Sequence, residues 1–207
     1  MSVPEPGSAA LEAVRTRNLR TVLALAGLFV LPLVASFWLY YGTGWRPAGH
    51  TNHGELITPA RPLPPAMLLR APAGGEVSAA KVFGHDWTLV AVAPGECDAS
   101  CRHTLFVMRQ TRLGLGASMT RVQRVFLASS QCCAPVLFDA QNAGLTVLDA
   151  SGPTAQPLLA MFPPDARSDM IFIVDPLGNL MMRYDARTKP RGLLEDLKRL
   201  LQLSHIG

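Results

Sequence analysis

The apolar residues of this chain fall into short runs rich in β-forming side chains, separated by stretches with helical spacing. Residues 87–93 (WTLVAVA), 122–128 (VQRVFLA) and 170–174 (MIFIV) predict three buried strands. The polar segment 175–179 (DPLGN) predicts a turn after the third strand. Residues 180–184 then return as its hairpin partner.

Helical spacing appears twice in the same half of the chain. The first helix is predicted from about residue 98 to residue 113, and Gly114 ends it. Thr188 and Pro190 mark the start of the second helix. This second helix has a leucine stripe that would face a core: Leu193, Leu194, Leu197, Leu200 and Leu201.

The order of these elements is strand, helix, strand, helical region, hairpin and helix. Strands separated by helices imply a parallel sheet with right-handed crossovers, to which the hairpin adds one antiparallel strand. This is the order of an α/β thioredoxin-like fold. We assign it to residues 66–207, with a short opening strand at residues 67–69.

A long apolar run precedes the folded region and predicts a single transmembrane helix. Residues 21–41 hold no charged side chain, and a helix of that length rises about 30 Å, enough for a bilayer core. We assign the anchor to residues 19–41 and a cytoplasmic tail to residues 1–18. A cleaved signal peptide is the rival, but the run is too long and no Ala-x-Ala-like site follows it.

The flanking charges predict how the anchor is oriented. Arg15, Arg17 and Arg20 lie before the span, whereas no Lys or Arg lies between the span and Arg46. The positive-inside rule places the amino terminus in the cytoplasm and the domain in the periplasm of a bacterial inner membrane. Residues 42–65, which contain five prolines, predict an extended periplasmic linker.

Overall charge adds little to this picture. The formal net charge is +4, without a basic run or interleaved aromatic residues, so nucleic acid is not an expected partner.

The chain contains four cysteines, and two of them, Cys97 and Cys101, follow the first core strand. A helix start favours thiolate over thiol, which makes this pair a candidate redox site. The alternative is a purely structural disulfide or two buried thiols.

The other two cysteines, Cys132 and Cys133, are adjacent in a loop after the second core strand. Small loop or core residues are the simpler interpretation, because a vicinal disulfide is rare. The alternative is a second thiol pair that exchanges with Cys97 and Cys101.

With these motifs in place, the chain resembles the Sco proteins, membrane-anchored thioredoxin-fold factors that help to assemble the copper site of cytochrome c oxidase. The matching segments are residues 87–90 (WTLV), the Cys97–Cys101 pair, and residues 173–176 (IVDP) with Gly178. The linker segment 52–57 (NHGELI) also looks like small anchored proteins of oxidase-assembly clusters.

The departures from the Sco pattern concern copper. Sco proteins carry prolines in and just after the motif, where this chain has Asp98 and Arg102. The family's third copper ligand is a histidine eight residues before the Asp of the Asp-Pro turn, and here that position is Arg167. A guanidinium has no lone pair to donate, so the histidine ligand is missing. His103 is a poor substitute, because its spacing from Cys101 turns it away on a helix.

Three functions follow from the resemblance. The first is a thiol-disulfide oxidoreductase that reduces the copper-site cysteines of a client, with Cys97 attacking and Cys101 resolving the mixed disulfide. The second is a metallochaperone that holds copper on Cys97 and Cys101. The third is an assembly scaffold without chemistry. We expect the first, with a cytochrome c oxidase subunit or another assembly factor as partner and no cofactor other than copper.

Overall fold

The computed structural model describes residues 8–42, 52–163, 168–188, 190–204 and 206. They belong to two compact units, one within residues 1–50 and the other within residues 51–207.

The described part of the first unit is the helix α1 (Ser8–Gly42). Its segment Arg17–Gly42 is long and apolar enough to cross a membrane, judged by length and composition. Pro32 lies inside the helix, a position that membrane helices tolerate better than soluble ones. The predicted amino-terminal apolar helix is therefore confirmed.

The second unit is built on a sheet of eight strands among the described residues. In chain order the strands are β1 (Glu55–Pro62), β2 (Leu68–Arg70), β3 (Glu76–Ser78), β4 (Trp87–Ala93), β5 (Val122–Ala128), β6 (Leu145–Asp149), β7 (Met170–Val174) and β8 (Asn179–Asp185). Across the sheet the order is β1-β8-β7-β4-β5-β6-β2-β3. The three predicted core strands, β4, β5 and β7, are neighbours near its centre.

Strand direction differs from the prediction in one respect. β4, β5 and β6 are parallel, as expected for strands joined by crossovers. However, β7 is antiparallel to β4, and β8, which is antiparallel to β7, runs in the direction of β4. The reversed strand of the hairpin is therefore β7, and not β8 as the predicted parallel sheet required. The reason is the connection after β6, which crosses the sheet and enters β7 at the same end of the sheet that β6 leaves.

Four helices cover the two faces of this sheet: α2 (Ala79–Phe83), α3 (Ala99–Gly114), α4 (Gln156–Leu159) and α5 (Pro190–Leu203). One core cluster joins Leu89 of β4 to Met108 of α3 and Leu197 of α5. The other joins Val90 of β4 to Phe83 of α2. The sheet is therefore the middle layer of three.

The folded unit begins earlier than residue 66, where we had placed its start. Within the predicted linker, Glu55–Pro62 form β1 and pair antiparallel with β8 at the edge of the sheet. Glu55 also forms a 2.9 Å ion pair with Arg183 of β8. The prolines of this segment indicated a linker rather than a strand. An edge strand, however, can accept prolines that a central strand excludes.

A buried carboxylate ties the start of this strand to α5. Asp196 is 3% exposed and accepts hydrogen bonds from the backbone N–H groups of His53 at 2.7 Å and Gly54 at 3.0 Å. The hydroxyl of Tyr184 donates to the same carboxylate. Burial, followed by this hydrogen bond, raises the pKa of Tyr184, so the phenol remains a proton donor.

Removing this acceptor should be costly. We expect Asp196→Ala to lower the free energy of unfolding by about 3 kcal/mol, because it leaves several buried donors without a partner. Asp196→Asn retains an acceptor oxygen and should lower the free energy of unfolding by clearly less. Urea unfolding of the full chain in detergent measures both, and equal losses would contradict this assignment.

Candidate functional site

The two cysteines of the Cys-x-x-x-Cys motif lie on the turn between β4 and α3. The strand β4 ends at Ala93 and α3 begins at Ala99. Between them the chain turns back, with the N–H of Cys97 donating to the carbonyl of Pro94 at 3.1 Å. Cys97 and Cys101 are joined as a disulfide, with 5.1 Å between their Cα atoms. The structure thus places both cysteines at the predicted end of a strand and start of a helix.

Both sulfur-bearing residues are buried. Cys97 and Cys101 are each 1% exposed and belong to the core cluster on the α3 face of the sheet. Burial in an apolar core disfavours a thiolate, because the charged form loses its water. The prediction that Cys97 attacks as a thiolate rested on the helix start and did not include the packing around this residue.

Charged residues next to the pair act in the same direction as burial. Glu96 and Asp98 flank Cys97 and are exposed. Asp98 also caps α3, since its Oδ1 accepts from the N–H of Cys101 at 2.8 Å. This N–H is one of the donors that would otherwise favour a thiolate. Arg102 opposes the two carboxylates and donates a 3.4 Å hydrogen bond to the carbonyl of Cys97. All three charged side chains are exposed and screened by solvent, so burial of the cysteines is the larger effect.

Cys97 has an unusual backbone conformation. Its φ angle of +47° lies in the left-handed region, which non-glycine residues seldom adopt. The only other described non-glycine residue with positive φ is Gln131, at +45°. Such residues concentrate at functional sites, where the surrounding packing holds them. Here one belongs to the first cysteine pair and the other directly precedes the second pair.

The second pair, Cys132 and Cys133, lies beside the first. These two residues follow β5, are partly buried, and pack against the core cluster that contains Cys97 and Cys101. The structure sets their two sulfur atoms against each other. Both sequence interpretations, small loop or core residues and a second exchanging thiol pair, stay predictions.

Gly95 is the point at which the two cysteine loops meet. Its N–H donates to the carbonyl of Ser130 at 2.6 Å, and its own carbonyl accepts from Ala134 at 2.8 Å. A Cβ atom at Gly95 would lie 2.4 Å from the carbonyl oxygen of Gln131 and 2.7 Å from the Cα of Cys132. Glycine is thus required by close approach of two backbones.

The second pair also opens onto a cavity of about 550 Å³. Besides Cys132 and Cys133, the residues that line it are Arg70, Ala71, Pro72, Ala73, Phe138 and Asp149. The Cys97–Cys101 pair does not line this cavity. An outside molecule therefore meets the second pair at a recessed surface with both an apolar wall and a cation.

The remaining sequence candidates bear on a metal site. His103 is exposed, whereas Cys101 is buried on the same helix, so His103 lies away from the sulfurs. Arg167 lies outside the described residues. The residue after it, Ser168, is described, and the carbonyl of Ser168 accepts a 2.7 Å hydrogen bond from Thr104 of α3. Among the described residues, no group of three or more His, Cys, Asp or Glu side chains could hold a metal ion.

Comparison with known protein families identifies the family to which this chain belongs. The model of a family described as "transmembrane-like, thioredoxin-like, C-terminal domain" matches residues 87–204, more than half of the 207 residues. The chain belongs to this family. The matched region begins at β4 and includes both cysteine pairs, β7, β8 and α5, so the thioredoxin-like fold predicted from the sequence is confirmed. A search among curated protein sequences found no match.

Solved structures similar to this chain include Sco proteins. The apo Sco1 protein from Thermus thermophilus is 18% identical, with a TM-score of 0.55 over 76% of this chain and 99% of that one. Yeast Sco1 is 13% identical, with a TM-score of 0.56 over 72% and 98% of the two chains. Copper-bound ScoI from Arabidopsis thaliana is 14% identical, with a TM-score of 0.54 over 73% and 99%. At these identities the similarity concerns the fold, and it confirms the Sco-like architecture.

The contact at Gly95 makes a direct prediction. Gly95→Ala should destabilise the thioredoxin-like unit by about 1–3 kcal/mol, because the new methyl group meets backbone atoms that cannot rotate away. Gly152→Ala is the matched control, since the atom nearest to its added Cβ is the Thr154 Oγ1 at 3.8 Å. Thermal unfolding of the full chain measures both, and equal melting temperatures would show that the two loops are not in close contact.

Proposed function

We propose that this chain is a membrane-anchored, periplasm-facing thiol-disulfide reductant that acts in cytochrome c oxidase assembly. Its client is an oxidase subunit or another assembly factor whose copper-site cysteines must be reduced. The anchor α1 and the family's transmembrane-like description support attachment to a membrane. Arg15, Arg17 and Arg20 on the amino-terminal side support a cytoplasmic amino terminus in a bacterial inner membrane.

The observation that carries the proposal is the buried disulfide between Cys97 and Cys101, flanked by two carboxylates. A disulfide pair is a strong oxidant when its reduced form is stabilised, as happens when a thiolate is favoured. Here burial and the charges of Glu96 and Asp98 disfavour the thiolate. The oxidised form is favoured instead, so the reduced pair readily gives up its electrons.

The reaction is a thiol-disulfide exchange. The Cys97–Cys101 dithiol transfers two electrons to a client disulfide, which becomes two thiols as the new Cys97–Cys101 disulfide forms. The two protons of the dithiol end on the client thiols. An external protein dithiol in the periplasm must then reduce the pair for the next turnover.

Copper delivery is the second candidate function, and the copper-bound Arabidopsis protein favours it. Thiolates suit Cu(I), so Cys97 and Cys101 could hold copper as cargo. The described residues add no third ligand to these two sulfurs. A scaffold without chemistry would hold the same buried pair as a structural disulfide, so release of client thiols is the result that separates the two functions.

The test of the reductant uses the full chain in detergent, reduced and freed of excess reductant. Mixed with a synthetic peptide that contains one internal disulfide, it should release peptide thiols as the Cys97–Cys101 disulfide forms, two thiols for each disulfide. The reduction potential of the pair should lie near that of thioredoxin, about −270 mV. Mass spectrometry of trapped thiols identifies the oxidised pair.

The control is the double variant Cys97→Ser/Cys101→Ser. It should no longer release the peptide thiols that oxidation of this pair produces. The proposal is overturned if Cys97 and Cys101 stay reduced in the wild type while excess peptide disulfide remains. A potential near about −120 mV, as in strong oxidants, would also contradict it.

The copper alternative depends on Arg167. We expect Arg167→His to tighten Cu(I) binding at least tenfold, because it supplies the imidazole ligand that the Sco pattern has at this position. Arg167→Ala is the control and should supply no donor. Competition with a Cu(I) chelator under reducing conditions measures the affinities. Wild-type binding as tight as that of the histidine variant would favour copper delivery over reduction.

A further inference from the structure

The buried position of Cys97 and Cys101 raises a problem that the second cysteine pair solves. A client disulfide must come into contact with the attacking sulfur, yet Cys97 and Cys101 are each only 1% exposed. Cys132 and Cys133 are partly exposed and line an open cavity. The more accessible thiols are therefore those of the loop after β5.

We propose that Cys132 and Cys133 form a second redox site, which meets the client and relays electrons from the buried Cys97–Cys101 pair. This inference rests on the proposed reductant function and deepens it. It assigns contact with the client to the loop cysteines and the storage of reducing equivalents to the buried ones.

The contacts between the two loops make exchange between the pairs feasible. Gly95, two residues before Cys97, is hydrogen bonded to Ser130 and Ala134 on either side of the second pair. The Cα of Cys132 lies 2.7 Å from the position of a Cβ at Gly95. Both pairs also pack in one core cluster. The backbone segments that carry the two pairs are therefore adjacent, as exchange between the pairs requires.

The cavity beside the loop suits an extended peptide that carries a disulfide. The turn between β2 and β3 supplies one side of it, including Pro72, and the exposed ring of Phe138 is also in its lining. Arg70 adds a cation to the lining, which can pair with an acidic residue of the peptide. Asp149, also in the lining, can pair with a basic residue of the peptide.

The relay consists of two exchanges that balance. In the first, a loop thiolate attacks the client disulfide, and the neighbouring loop cysteine resolves the mixed disulfide. The client gains two thiols, and Cys132 and Cys133 become joined as a disulfide. In the second, the Cys97–Cys101 dithiol reduces the loop disulfide by the same steps. Each exchange breaks one S–S bond, forms another, and moves two electrons and two protons.

The experiment follows oxidation of the reduced full chain in detergent by the same synthetic peptide with one internal disulfide. In Cys132→Ser/Cys133→Ser, formation of the Cys97–Cys101 disulfide should be at least tenfold slower than in the wild type, although its final extent is unchanged. The matched control is Ser130→Ala in the same loop, which should keep the wild-type rate. Equal rates in the double variant and the wild type would overturn the relay and leave the reductant function standing.

A wild-type measurement keeps the relay testable if the double variant folds poorly. In the reduced wild-type chain, a bulky maleimide should modify Cys132 or Cys133 at least tenfold faster than Cys97 or Cys101. Faster modification of Cys97 would overturn the relay. If instead the Cys97–Cys101 disulfide never forms in the wild type, the proposed reductant function itself has failed.

Discussion

The parallel pairing of β4 with β5 is the constraint on which the site depends. In this register Ala93 faces Ala128, so both strands end at the same level. The N–H of Ser129 continues the pairing by donating to the carbonyl of Ala93 at 2.9 Å. The two loops that follow therefore start side by side, and each carries a cysteine pair. Neither loop could hold its sulfurs near the other if the register shifted by one residue.

The chemistry of the first pair is decided by competition between two effects at the same turn. A helix start offers N–H groups that stabilise an anion, by about 0.3–1 kcal/mol when exposed. The free-energy cost of removing water from a fully buried charge is several times larger than this stabilisation. At Cys101 the capping carboxylate of Asp98 already uses the nearest N–H. Burial therefore prevails, and the turn stabilises the disulfide relative to the reduced, ionised pair.

Sequence patterns predicted the parts of this fold that depend on local chemistry. The core strands β4, β5 and β7 have the predicted bounds, because short runs rich in β-forming apolar residues are typical of buried strands. The turn at Asp175 was also predicted, and its carboxylate accepts the N–H groups of Leu177 and Asn179. Both features follow from neighbouring residues alone.

What the sequence could not predict depends on residues far apart in the chain. The burial of Cys97, the contact of Gly95 with Cys132, and the direction of β7 all come from tertiary packing. One signal for the second site was available. Two cysteine motifs that each follow a core strand will meet at the same end of the sheet, where the carboxyl ends of the strands lie, if those strands are parallel neighbours.

The proline-rich segment that forms β1 has a consequence for the behaviour of the chain at a membrane. Tethered copies are confined to a surface, where open sheet edges would meet and pair often. One of the two edges of the sheet is β1, which includes Pro59 and Pro62 and exposes most of its residues. A proline has no N–H to offer a neighbouring strand. The same residues that resemble a spacer thus protect crowded molecules from joining edge to edge.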